Sequence, residues 1–224
     1  MEHLFPELLE LVSEELNTMD RYFLSKTYLL TSSLDLKSIT EEDTVKGTVD
    51  QLELLKEEGY QWSKDICNKA IGNLQILKWF VSQGYSFESK TYSLDAEQEH
   101  LSTLQWAREN GCPWDEETCA SAASKGHLST LQWLIENGCP WNSSTCSSAA
   151  GGGHLSTLQW ARENGCAWNS STCASAASKG HLSTLQWLIE NGCPWNERTC
   201  TYAAEKGHLS ILQWLIENGC SHEI

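Results

Sequence analysis

The sequence predicts an all-α fold, a helical solenoid of short helix-turn-helix units stacked along the chain. Two observations carry this expectation. A set of positions recurs every 27 residues, and within each period two runs show helical spacing of small or apolar residues, with Gly, Pro and Asn at the turns between them. Gly-His recurs at Gly126-His127, Gly153-His154, Gly180-His181 and Gly207-His208. Trp106, Trp133, Trp160, Trp187 and Trp214 keep the period, as do Trp114, Trp141, Trp168 and Trp195. Two Cys series follow it as well: Cys112, Cys139, Cys166, Cys193 and Cys220, then Cys119, Cys146, Cys173 and Cys200.

Each element of the unit has a local cause. Pro140 has no N–H to donate, so the turn Cys139-Pro140-Trp141 interrupts helix. Asn142 then serves as N-cap of a first helix over 143–151, and Asp115, Asn169 and Asn196 hold the same place in other units. In the preceding unit the first helix is expected over 118–125, where Cys119, Ala122 and Ala123 are small enough to let another helix approach closely. Gly126 suits the left-handed residue that ends it. A second helix carries Leu128, Leu131, Leu134 and Ile135 on one stripe, widened by Trp133, and stops at Asn137-Gly138. Two such helices cannot bury that stripe alone, whereas stacked neighbours can.

The repeat also has a longer period. Ala107-Arg108, Leu134-Ile135, Ala161-Arg162 and Leu188-Ile189 alternate, so residues 100–153 and 154–207 read as two copies of a 54-residue double unit. Degenerate units precede them. Gly59, Trp62 and Cys67 align with Gly111, Trp114 and Cys119, and Trp79, Gly84, Phe87 and Tyr92 fill the Trp, Gly, Trp and Cys positions of the next unit. The expected organisation is a helical segment over 1–46, ending in a polar connection over 38–46, and a solenoid over 47–224, degenerate over 47–99 and near-identical over 100–224.

The segment from Gly126-His127-Leu128 to Cys139-Pro140-Trp141-Asn142 resembles the second helix and exit turn of an ankyrin repeat, and Thr145-Cys146-Ser147-Ser148-Ala149-Ala150 resembles its first-helix motif. The unit is shorter than the usual ~33 residues by about six, and the loss falls where ankyrin repeats carry their β-hairpin. The resemblance covers roughly residues 47–224 and is greatest to the shortened ankyrin-like repeats of large DNA viruses and some protists. It implies a protein-binding array without the hairpin tips. Near the start, Pro6, Leu8, Leu9, Val12, Leu16 and Leu24 resemble the opening of an F-box, which docks onto the Skp-type adaptor of cullin ubiquitin ligases. The alternative for residues 1–46 is a cap over the end of the solenoid.

Composition narrows the partner. Against 30 Asp+Glu stand 15 Lys+Arg, a net charge of −15, which repels a nucleic-acid backbone or an anionic membrane surface. No apolar run reaches the ~18 residues that span a bilayer. Residues 1–12 hold three Glu and no Lys or Arg, unlike a secretory signal, so the expected compartment is the cytoplasm, of the host if the chain is viral, or the nucleus. The Cys are then read as buried, reduced thiols. Zinc needs ligand atoms about 2.0–2.3 Å from one ion, but equivalent residues of stacked helices stand roughly 8–10 Å apart. No metal or other cofactor is expected. Disulfides along one series fail similarly, since bridged Cα atoms lie about 4.4–6.8 Å apart. A bridge between the two series across adjacent units stays open. The helix Trp series reads as core packing and the turn series as a roof between units, a ligand-stacking platform being the alternative.

No catalytic motif is present: there is no G-x-S-x-G, G-x-x-x-x-G-K-[ST] or H-E-x-x-H. The expected function is a non-enzymatic scaffold that binds a protein partner. Its contacts are expected where units differ, at the slots Asp115-Glu116-Glu117, Asn142-Ser143-Ser144, Asn169-Ser170-Ser171 and Asn196-Glu197-Arg198, and at Tyr202. The other functional readings are a substrate receptor working through the F-box segment and a ligand or metal binder working through the Trp and Cys series.

Overall fold

The computed structural model describes residues 39–86 and 89–220. The chain divides into two compact units, Met1–Phe87 and Glu88–Ile224. The F-box-like positions from Pro6 to Leu24 lie outside the described residues. Every regular element among the described residues is a helix.

The first unit holds α1 (Glu41–Lys46), α2 (Val49–Glu57), α3 (Ile66–Lys69) and α4 (Leu74–Ser82). Helix α1 corrects the polar connection expected over 38–46. Thr40 and Asp43 form a reciprocal capping box, Asp43 N–H donating to Thr40 Oγ1 at 3.2 Å and Thr40 N–H to Asp43 Oδ2 at 3.0 Å. The acids Glu41, Glu42 and Asp43, which suggested a solvated loop, occupy a first turn where the helix dipole favours negative charge. Thr44 is buried and accepts the indole N–H of Trp62 at 3.2 Å, and Trp62 packs edge-on against Trp79 and Phe80.

Glu41 ties α1 to α3. It accepts the Ser63 N–H, the Ser63 hydroxyl at 2.9 Å and the Lys69 ammonium at 2.6 Å. Burial alone pushes this carboxyl up, but the bonds from Lys69 and Ser63 outweigh it and hold it below the ordinary glutamate value. A carboxyl lowered in the folded state adds stability above its unfolded value and loses it as pH falls through the folded one. Acidification from about pH 6 to about pH 3 is therefore expected to destabilise the wild type by an increment that Glu41→Gln lacks. Trp fluorescence followed through urea unfolding at each pH measures this, and equal acid sensitivity in the two proteins would remove Glu41 from the account.

The second unit alternates first helices, α5 (Ser89–Glu97), α7 (Glu116–Ser124), α9 (Ser143–Gly152), α11 (Ser170–Ser178) and α13 (Glu197–Glu205), with second helices, α6 (Leu101–Glu109), α8 (Leu128–Glu136), α10 (Leu155–Glu163), α12 (Leu182–Glu190) and α14 (Leu209–Glu217). Helix α7 begins two residues before the expected 118, because the Asp115 carboxylate already accepts the N–H of Glu117 at 3.1 Å. Neighbouring first helices make the dominant contacts of the unit, while each second helix packs chiefly on its own first helix. The residue types explain the difference. Cys119, Ala122 and Ala123, and their equivalents Cys146, Ala149 and Ala150, are fully buried and small, so the backbones approach closely. Of the second-helix stripe, Leu131, Leu134, Leu158 and Leu185 are fully buried, each contributing about 2 kcal/mol of transfer free energy, while Leu128 and Ile135 are half-buried.

The Gly-His pairs lock one unit to the next. His127, His154, His181 and His208 bond through Nε2 to the carbonyls of Glu97, Ser124, Gly151 and Ser178, at 2.9, 3.1, 3.0 and 3.1 Å. A carbonyl only accepts, so Nε2 carries the proton in each ring. Those carbonyls sit in the last turn of the preceding first helix and have no partner within it. The matching glycines make room for the rings. A Cβ on Gly126 would lie 2.5 Å from Nδ1 of His154, and one on Gly153 would lie 2.5 Å from Nδ1 of His181.

Candidate functional site

The residues expected to contact a partner fall into two groups in the folded chain. Asp115, Asn142, Asn169 and Asn196 cap the first helices, accepting the N–H of Glu117, Ser144, Ser171 and Arg198 at 3.1, 2.8, 2.9 and 3.1 Å. Their identity is accounted for by local hydrogen bonding. Glu116, Glu117, Glu197, Arg198 and Tyr202 are exposed on α7 and α13. Asn196, Arg198 and Tyr202 come together with Ser170, Ser171, Ala174, Ser175 and Ser178 around a cleft of about 240 Å³ between α11 and α13.

A larger and shallower groove of about 520 Å³ runs across α7, α9 and α11. Glu117 lines its start, but most of its surface comes from Ser121, Ser124, Ser144, Ser147, Ser148, Ser175 and Ser178, with Gly151 and Gly152 at its middle. Lys125 and Lys179 stand at the edge, Lys125 paired with Glu97 at 3.0 Å. Of these serines sequence reasoning named only Ser144 as a contact, in the varying slot Asn142-Ser143-Ser144. The signal was available: Ser121 and Ser124, like Ser175 and Ser178, recur three residues apart on the face of the first helix opposite the buried Cys-Ala-Ala set. Comparison of units for differences passes over Ser121, Ser148 and Ser175, which are the same residue in three successive units.

The Trp series belongs to the scaffold. Three turn rings lie beside the helix ring of the following unit: Trp114 with Trp133 at 6.1 Å, Trp141 with Trp160 at 6.0 Å and Trp168 with Trp187 at 5.9 Å between centroids. The helix Trp are half-buried rather than core residues, because the stripe they widen is already filled by Leu. Arg108 and Arg162 lie over Trp114 and Trp168, 4.2 Å from the ring centroids. This contact gives the 54-residue alternation a physical content, since each cation covers a turn ring in the units that carry Ala-Arg.

The Cys series departs from the expected reduced thiols at one place. Cys200 and Cys220, one from each series, form a disulfide with Cα atoms 6.8 Å apart, a span within reach of a bridge. The other described cysteines are thiols, all buried except the half-buried Cys112. Among the described residues no three His, Cys, Asp or Glu side chains are placed to hold a metal ion. No described helix is long and apolar enough to cross a membrane.

Two comparisons agree with this architecture. Residues 119–162 and 173–216 match the family described as ankyrin repeats (many copies). The crystal structure of the human ASB11 ankyrin repeat domain superposes with a TM-score of 0.54 at 15% identity, covering 72% of this chain and 85% of that one. No curated protein matches the sequence. Residues 119–162 and 173–216 are thus similar in sequence to ankyrin repeats, and the array that contains them has the ankyrin solenoid fold without strands among its described residues.

Proposed function

We propose that the chain is a non-enzymatic scaffold that receives a protein partner on the face built from its first helices, with the α11–α13 cleft as the point of discrimination. The observation that carries this is the convergence of Asn196, Arg198 and Tyr202 on one cleft, continuous with a groove rich in serine and glycine. Serine hydroxyls both donate and accept, so such a groove adapts to the polar edge of many partners without selecting one. Tyr202 and Arg198 supply what it lacks, a rigid amphipathic ring and a fixed fork of donors, the residue types that anchor interfaces. Ankyrin repeats suggest the same class of function. The net charge of −15 favours a basic partner and speeds its approach more than it tightens the complex.

The test compares immobilised wild type with Arg198→Ala/Tyr202→Ala and with Ser148→Arg/Ser175→Arg, quantifying the proteins each retains from an extract. A partner held by the wild type is expected to fall at least ~10-fold in both variants while helical circular dichroism is unchanged. Equal retention by all three would place binding elsewhere.

A further inference from the structure

We propose that Cys119–Cys139, Cys146–Cys166 and Cys173–Cys193 are redox sites that close to disulfides, each stapling a first helix to the turn that leaves the second helix of the same unit. The bridge at Cys200–Cys220 supplies the geometry: its members stand 20 residues apart, one in α13 and one in the turn after α14. The three other pairs occupy the same two places in units of nearly the same sequence, at the same separation. The paired residues are already close: the Cys173 thiol donates to the Cys193 carbonyl at 4.0 Å, and the thiols of Cys119 and Cys146 interact with those of Cys139 and Cys166. Each turn thiol is also held in place by the N-cap residue of its own unit's first helix. Cys139, Cys166 and Cys193 donate through Sγ to the carbonyls of Asp115, Asn142 and Asn169 at 3.5, 3.2 and 3.5 Å. Cys112 is the internal control. Its partner position is filled by Tyr92, whose hydroxyl donates to the Cys112 carbonyl at 3.3 Å, so no sulfur faces it there.

The oxidant is a low-molecular-weight disulfide, and the step balances as thiol–disulfide exchange. A turn thiol gives its proton to water and attacks one sulfur of the small disulfide; that S–S bond breaks and a small thiolate leaves. The first-helix thiol then loses its proton and attacks the mixed disulfide, expelling the second small thiolate. Two protein thiols lose two electrons and two protons, and one small disulfide becomes two thiols. Interaction with Cys146 and Cys173 holds Cys166 and Cys193 below the ordinary thiol value, which marks these two turn residues as the attacking ones in their pairs. Both members of each pair are buried, so the reagent waits for a local opening of the unit. A closed bridge then restrains that same opening.

The full chain, reduced and then incubated under native conditions with oxidised glutathione, is quenched by alkylation in denaturant and mapped without reduction. The expected result is three new bridges joining the named pairs, a loss of about two mass units for each, with Cys112 alkylated. Native-state proteolysis of the oxidised protein is expected to slow by ~10-fold or more. In Cys146→Ala/Cys166→Ala that bridge is missing and the other two still form, which shows that each unit closes by itself. The proposal is overturned if Cys200–Cys220 remains the sole bridge while the protein stays helical. It is equally overturned if the new bridges join other partners, or form only in denaturant.

Discussion

Gly153→Ala is expected to lower stability by about 3 kcal/mol, and Gly207→Ala by about 1 kcal/mol. The two glycines share a backbone conformation, with φ of +73° and +72°, in the left-handed region where any Cβ is strained. They differ in what surrounds them. A Cβ on Gly153 meets His181 at 2.5 Å from Nδ1 and 2.7 Å from Cε1, while a Cβ on Gly207 meets nothing within 4 Å. The ring of His181 cannot withdraw cheaply, because its Nε2–H holds the Gly151 carbonyl at 3.0 Å. Moving the ring leaves the last turn of α9 without that partner, a loss of about 1 kcal/mol on top of the steric cost. Urea midpoints at constant slope measure the two variants. Adding His181→Ala to Gly153→Ala tests the cause: the steric part disappears, so the two substitutions are expected to cost less together than the sum of their separate effects. Equal losses at Gly153 and Gly207 would show that the lock between units contributes nothing.

Leu158→Ala is expected to cost about 3–4 kcal/mol, and Leu209→Ala less than ~0.5 kcal/mol. Both are leucines of second helices, so helix propensity changes by little in either case. Leu158 is fully buried in the middle of the array, whereas Leu209 is 74% exposed in the last helix, where no described unit stacks beyond it. Truncating Leu158 leaves a cavity within α10 and weakens its packing against α9, and in a linear array that loss is felt by the interfaces on both sides. Hydrogen exchange should therefore quicken in α9 and α10 before the distant helices. A loss at Leu209 as large as at Leu158 would mean that the last unit is covered in solution.

How much was legible follows from which interactions are local. The caps at Asp115, Asn142, Asn169 and Asn196 were readable because each joins a side chain to an N–H two residues on. Gly126 was readable as a helix end because its conformation, with φ of +75°, is a property of its own residue. Helix α1 was missed although Thr40 and Asp43 spell a capping box, since three consecutive acids were weighed as solvation and not as the first turn of a helix. Of the candidate site, Asn196, Arg198 and Tyr202 were named from sequence, and the structure places them around one cleft. Apart from Ser144 the serine groove went unnamed, because residues such as Ser121, Ser148 and Ser175 that repeat unchanged look like scaffold whichever side they face.

The sequence by itself determined that this chain is a stack of two-helix units, which residues cap the first helices of the array, and that Cys-Ala-Ala and Leu positions form its buried faces. Period, capping and small-residue spacing act within a few residues of one another, so they leave their mark on the linear text. Tertiary structure alone decided what the recurring residues face. His154 reaches a carbonyl 30 residues before it, Cys200 closes on a sulfur 20 residues after it, and the serine groove is assembled from three helices. A period announces that a residue returns. Which neighbour it meets depends on the offset and rotation between stacked units, and those are set by packing along the whole array.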